Sequence, residues 1–209
     1  MITVSTGSDF CREVVARGWL TEEQTAHAAE RYRLGKSRSG KTIFWMIDEH
    51  GILRDGRIGN SWVSQMLKAR EPKFLQDWYA KPCLFGLHLL SQTEITGNCH
   101  KISISIVESE RSAVVLSELF PECVWLATVY PMNFNVLSFE PLEGCDITLF
   151  PRTDPTGSTY LSWLEIADQA RRKYHLDISV IDILETSATD EQKSAKIDLI
   201  DYLFDSERN

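Results

Sequence analysis

The spacing of apolar residues changes character along the chain. "SDFCREVVARG" predicts a short helix with Ser8 as its cap and Gly18 as its stop. "TEEQTAHAAERYRLG" predicts a second helix, in which Thr21 and Gln24 fit a capping box and Gly35 fits the position after the last turn. The rhythm then switches. In "KTIFWMIDEHGILRDGRIGN" two runs rich in Ile, Phe and Trp flank "DEHG", the pattern of a β-hairpin. The aromatic stretch "SWVSQMLKAREPKFLQDWYAKPCLFGLHLL" fits no single period and is expected to pack over that hairpin.

From residue 101 strands and helices alternate. "ISISIVE" reads as a strand, "SERSAVVLSELF" as a helix and "VWLATV" as a strand. After a loop, "DITLF" reads as a strand, "STYLSWLEIADQARRKY" as a helix and "DISVIDI" as a strand, and "SAKIDLIDYLF" as a closing helix. In the long helix Tyr160, Trp163, Leu164, Ala167, Ala170 and Tyr174 recur at helical spacing. This alternation predicts an α/β fold, a parallel sheet flanked by helices and joined by right-handed crossovers. A smaller mixed α+β region with the hairpin precedes it. The polar "TGNCHK", with Gly97, marks the boundary, giving regions 1–97 and 98–209.

The 209-residue chain has the composition of an ordinary globular protein, 43% hydrophobic and 25% charged. No apolar run reaches the roughly 18 residues that span a bilayer. The amino terminus has no basic start followed by an apolar core, so a cytoplasmic location and no membrane contact are expected. Five scattered cysteines without a CxxC pair read as reduced, mostly buried thiols, and Cys99-His100 lacks the second half of a metal site. The net charge of −8 is uneven: residues 177–209 carry nine acids and three Lys or Arg. That acidity argues against a general nucleic-acid binder but leaves room for a local basic groove.

"GKSRSGKT", Gly35 to Thr42, spells a complete P-loop string. A working P-loop is delivered by a strand and followed by a helix whose first amides face the phosphates. Here a helix precedes and a strand-like run follows, so nucleotide binding through Lys41 ranks last. The same stretch holds Arg31, Arg33, Lys36, Arg38 and Lys41 with no acid in eleven residues. Such a run can contact a phosphate backbone; it can equally be a solvated helix end and loop.

In parallel sheets, sites form at the carboxyl ends of strands. Glu108 follows "ISISIV", with Glu110 two residues on, and Asp154 lies four residues beyond Phe150. If those strands are neighbours, the two carboxylates meet at one rim and suit Mg²⁺. Asp146, at the other end of its strand, lies roughly 15 Å off. Alone, Asp154 with Pro155 and Gly157 is turn chemistry, and Ser158 is placed to cap the long helix.

"IVESERSAVVLSELF…WLAT…DITLFPRTDPTGSTYLSWLEIA…DLIDYL" resembles the Toprim domain of primases and topoisomerases, in the primase-like form carried by bacterial mobile elements. The resemblance spans residues 101–204, and "RYRLG…TIFWMIDEHGILRDGRI" resembles the segment that precedes Toprim in that group. It implies a Toprim-like, Rossmann-like sheet, with Glu108 as general acid/base and Glu108 and Asp154 as Mg²⁺ ligands. Two departures stand out. Arg152 replaces the first aspartate of the D-x-D pattern, and "VYP", Val129 to Pro131, replaces the expected glycines. An inward-pointing Arg152 offsets Asp154's attraction for a metal, or binds phosphate through its guanidinium fork.

The expected function is therefore a primase-related nucleic-acid transaction in the replication or mobilisation of a mobile element. Its metal site is degenerate and its metal-dependent nucleotidyl or phosphoryl transfer weak or absent. Glu108 and Asp154 form the site, Arg152 contacts phosphate, and the cations of 31–41 wall a groove for single-stranded DNA or an RNA primer. The alternative is a non-catalytic interaction module that keeps the fold. Its acidic tail would meet a basic partner such as a helicase or relaxase.

Overall fold

The computed structural model describes residues 2–67, 83–92, 101–129 and 134–205. The chain divides into two compact units, Met1–Glu94 and Ile95–Asn209. Gly97, Cys99, His100, Tyr130 and Pro131 lie outside the described residues, as does most of the aromatic stretch after Leu67.

In the first unit, α1 (Asp9–Ala16) and α2 (Glu22–Arg31) precede a four-stranded antiparallel sheet. Its strands are β1 (Gly35–Lys36), β2 (Thr42–Ile47), β3 (Leu53–Ile58) and β4 (Ser61–Trp62), with α3 (Val63–Leu67) following. The Thr21–Gln24 capping box opens α2 as expected. Gly35 does not end that helix. Arg33 takes the left-handed conformation (φ 53°), and Gly35 starts β1 instead. Phe44 and Met46 turn one side of β2 into the core, where Phe44 packs on Phe10 and Phe85, and Phe85 stacks on Tyr32 at 5.1 Å. The hairpin loop is locked by Asp48. Its carboxylate accepts the amides of His50 and Ile52 and pairs with Arg54 at 2.6 Å.

The second unit carries a four-stranded parallel sheet in the order β6–β5–β7–β8. The strands are β5 (Ser103–Val107), β6 (Val124–Ala127), β7 (Asp146–Leu149) and β8 (Asp177–Val180). β5 and β6 are buried over nearly their whole length, which explains their unbroken apolar runs. α4 (Glu110–Leu119) crosses from β5 to β6, and α5 (Ser158–Tyr174) from β7 to β8. α5 buries Trp163, Ala167 and Ala170 from the predicted stripe. The closing helix predicted over "SAKIDLIDYLF" forms only from Leu199, because a separate helix ends at Ala195 within that stretch. The tail divides into α6 (Ile183–Ser187), α7 (Asp190–Ala195) and α8 (Leu199–Asp205). A Thr189–Gln192 capping box starts α7, and Lys196 in the left-handed conformation ends it. No helix of the described residues is long and apolar enough to cross a membrane.

Candidate functional site

β5 lies between β6 and β7, with Ile106 opposite Leu149. Phe150 extends the ladder by donating its amide to the Ile106 carbonyl at 2.8 Å. Glu108 and the segment leading to Asp154 therefore leave the same carboxyl edge of neighbouring parallel strands. Arg152 turns toward Glu108. Its Nε lies 2.9 Å from Glu108 Oε2, an ion pair in which the N–H does not point along that line. The Glu108 side chain is 11% exposed and that of Arg152 33%, so the carboxylate sits inside and the guanidinium forms its lid.

Asp154 is buried and saturated by donors from its own turn. It accepts the Thr156 amide at 2.9 Å and hydroxyl at 2.6 Å, and the Thr159 amide at 2.7 Å. Ser158 adds its amide at 3.3 Å and its hydroxyl at 3.2 Å. Burial alone would push this carboxyl up. The Thr156 hydroxyl and then the Thr159 and Thr156 donors outweigh it and hold the group well below the usual carboxylate range. The cap of α5 is thus Asp154 rather than Ser158, and Gly157 takes the N-cap position at φ 67°. The turn chemistry read from the sequence is realised.

Two acids that the sequence reading passed over complete this edge. Asp198 is buried. Its Oδ2 accepts the Ser112 hydroxyl at 2.7 Å and the Ser109 amide at 3.3 Å, capping α4 directly beyond Glu108. Its Oδ1 accepts the Leu199 amide, and its own amide donates to Asp201, so it also starts α8. Burial raises its carboxyl above the ordinary value despite these donors, and the Asp201 charge adds to the rise. The sequence signal was an acid three residues before another, ahead of an apolar run. Glu185, from α6, accepts the buried Thr153 hydroxyl at 3.1 Å. Thr153 also donates its amide to the Ile197 carbonyl. The segment between Arg152 and Asp154 is therefore tied to the tail at two points.

On the other flank, Thr128 and Val129 follow β6. Thr128 donates its amide to Val107 O, and Val129 donates to Glu108 O at 2.9 Å. Val129 is buried at φ 67°, a conformation that a β-branched residue rarely adopts. The backbone here keeps the turn that a glycine would take freely, although the sequence supplies valine. The Thr128 hydroxyl is buried and makes no hydrogen bond among the described residues. Asp146 stays at the opposite edge, where it pairs with Lys101 at 2.9 Å. Among the described residues no group of three or more His, Cys, Asp or Glu is arranged to hold a metal ion.

The cationic run lies in the first unit. "GKSRSGKT" is the turn joining β1 to β2. Ser37 donates its amide to Lys41 O, and Gly40 donates to Ser37 O. The Lys41 amide goes to the Ser37 hydroxyl and the Thr42 amide to Asp9 at 2.7 Å, so both amides that a P-loop would aim at phosphate are committed. The Thr42 hydroxyl is buried against Ser8 and Asp9. Lys36, Arg38 and Lys41 are exposed, Arg31 and Arg33 half-buried. Among the described residues none of the five has a carboxylate partner.

Residues 9–153 match the family described as "Domain of unknown function (DUF6371)". No curated protein matches the sequence. Among solved structures, the DnaG catalytic core is similar in fold, with a TM-score of 0.52 at 13% identity. That match covers 97% of this chain and 77% of the other.

Proposed function

We propose that this chain, which belongs to the DUF6371 family, is a primase-related nucleic-acid-binding protein whose strand-end site works without a bound metal. The shared fold with the DnaG primase core supports the primase-like part. The observation that carries the rest is the Arg152–Glu108 pair at 2.9 Å. Mg²⁺ is the cofactor this fold implies, and the donor set does not fit it. Glu108 already faces a guanidinium, and the Asp154 oxygens already accept from Thr156, Ser158 and Thr159. The Arg152 charge offsets much of the attraction that these carboxylates would exert on a second cation. The part of Arg152 that remains exposed suits a phosphate oxygen, which a guanidinium holds well. The same reading gives Arg31, Arg33, Lys36, Arg38 and Lys41 a phosphate-backbone role, in replication or mobilisation of a mobile element.

Binding of a labelled single-stranded oligonucleotide across a salt series tests this. Affinity should fall linearly on a log–log scale. Neutralising Arg31, Arg33 and Lys36 should make the slope shallower by about 0.7 for each phosphate that loses its cation. No binding at low salt, or an unchanged slope in the triple variant, would overturn it.

One observation favours a second reading, a non-catalytic module that docks a basic protein such as a helicase or relaxase. The tail presents exposed acids at Asp190 and Glu191 on α7, within a segment of net charge −6. Salt-sensitive capture of a basic partner, with no oligonucleotide binding, would select it.

A further inference from the structure

We propose that Trp45 is a stacking platform for an unpaired base of single-stranded nucleic acid. This rests on the nucleic-acid reading above and names the group that would touch the bases. Trp45 pairs with Gly56 across β2 and β3. A Cβ on Gly56 would lie 2.5 Å from Trp45 Cε3 and 2.7 Å from Cζ3, and one on Gly35 would lie 2.7 Å from Nε1. The indole is therefore laid flat over the backbones on both sides of its own strand. Two side chains are missing where the ring lies, and glycine inside a strand marks such a close approach.

Trp45 as a whole is half-buried; its Nε1 is buried and makes no hydrogen bond among the described residues, so its exposure belongs to the other atoms of the side chain. Strand alternation puts Ile43 and Trp45 on one side, opposite the core-facing Thr42, Phe44 and Met46. Lys41, which directly precedes β2, and Arg38, in the turn before it, are both exposed. Lys36, opposite Thr42, belongs to the other side. A flat aromatic face next to uncompensated cations matches single-stranded nucleic acid, in which bases stack and phosphates meet Lys and Arg. An acidic peptide would satisfy the cations but leave the ring's face without a planar partner.

Two labelled strands of equal length test the assignment, one a pyrimidine run and the other the same backbone with abasic sites. The wild type should bind the base-bearing strand roughly 5- to 100-fold more tightly. Trp45→Leu should abolish that preference while keeping the salt slope. Arg38→Gln with Lys41→Gln should weaken both strands and make the slope shallower. Trp45→Phe, which keeps a ring on the two glycines, should retain part of the preference. Equal wild-type affinity for the two strands overturns the platform even if Trp45→Leu fails to fold. A Trp45→Leu chain that keeps the preference overturns it too, and the nucleic-acid reading survives either result if the cation variant still loses affinity. If neither strand binds the wild type at low salt, the nucleic-acid reading falls and the platform with it.

Discussion

Arg152 Nε stands 2.9 Å from Glu108 Oε2, at the carboxyl ends of two neighbouring parallel strands. Two residues 44 positions apart are thereby joined where this fold class places its chemistry. The guanidinium supplies the positive charge that a buried strand-end carboxylate needs.

Removing that charge should therefore cost stability. Arg152→Met leaves Glu108 buried against an uncharged side chain and is expected to destabilise by about 1–3 kcal/mol. The figure is below that of a fully buried pair because a third of Arg152 is exposed. Adding Glu108→Gln should recover part of the loss. A denaturant double-mutant cycle measures this, and strictly additive losses would show that the pair is not coupled.

Asp154→Ala should cost about 2 kcal/mol or more, because it strips the α5 cap and strands several buried donors. Asp154→Asn should cost less. The carboxyl is held low in the folded state, so its contribution is complete above the unfolded value of about 4 and is lost as pH falls below it. Urea unfolding of both variants at neutral pH, and of the wild type below pH 4, checks the order and the sign.

Val129→Gly should be unusually mild for a buried valine. The substitution gives up apolar burial but relieves a left-handed conformation worth about 1–2 kcal/mol. Val107→Gly, in the regular strand β5, lacks that relief and should cost clearly more. Equal losses in the two variants would argue against strain at position 129.

How much of this was legible beforehand follows from the kind of signal each part leaves. The parallel sheet was readable because β5, β6 and β7 are short apolar runs separated by helical ones. Which strand lies beside which is not encoded in the runs themselves, so the approach of Glu108 and Asp154 follows from the sequence only as a condition on that pairing, and an inward-pointing Arg152 only as one option. The role of Asp198 is not legible in the apolar "LIDYLF" that follows it, because its carboxylate caps α4, which starts 88 residues earlier. Gly35 was given to a helix end because glycine commonly stops helices. Its actual reason, an indole lying over it, is a tertiary contact with no local pattern.

His88 should make stability depend on pH. It is fully buried, with Nε2 3.1 Å from the Arg31 carbonyl, and Nδ1 has no partner among the described residues. Burial pushes its pKa down to about 4, only partly opposed by the Arg31 carbonyl. The folded state thus binds the proton more weakly than the unfolded chain does. The neutral ring's contribution is complete above the unfolded value of about 6.5 and is lost as pH falls toward 4, by at most about 1.4 kcal/mol per pH unit. Comparing the wild type with His88→Gln by urea unfolding between pH 7 and about 4 isolates this share. A wild-type curve parallel to that of the variant would exclude His88 as its source.

The most direct test of the strand-end account is the melting temperature of the full chain titrated with Mg²⁺ or Mn²⁺, since a ligand that binds the folded state must raise it. With Arg152 seated against Glu108, the account predicts a flat response in the wild type, and the same response in Glu108→Gln and Asp154→Ala. A rise with metal in the wild type that disappears in either variant would contradict it.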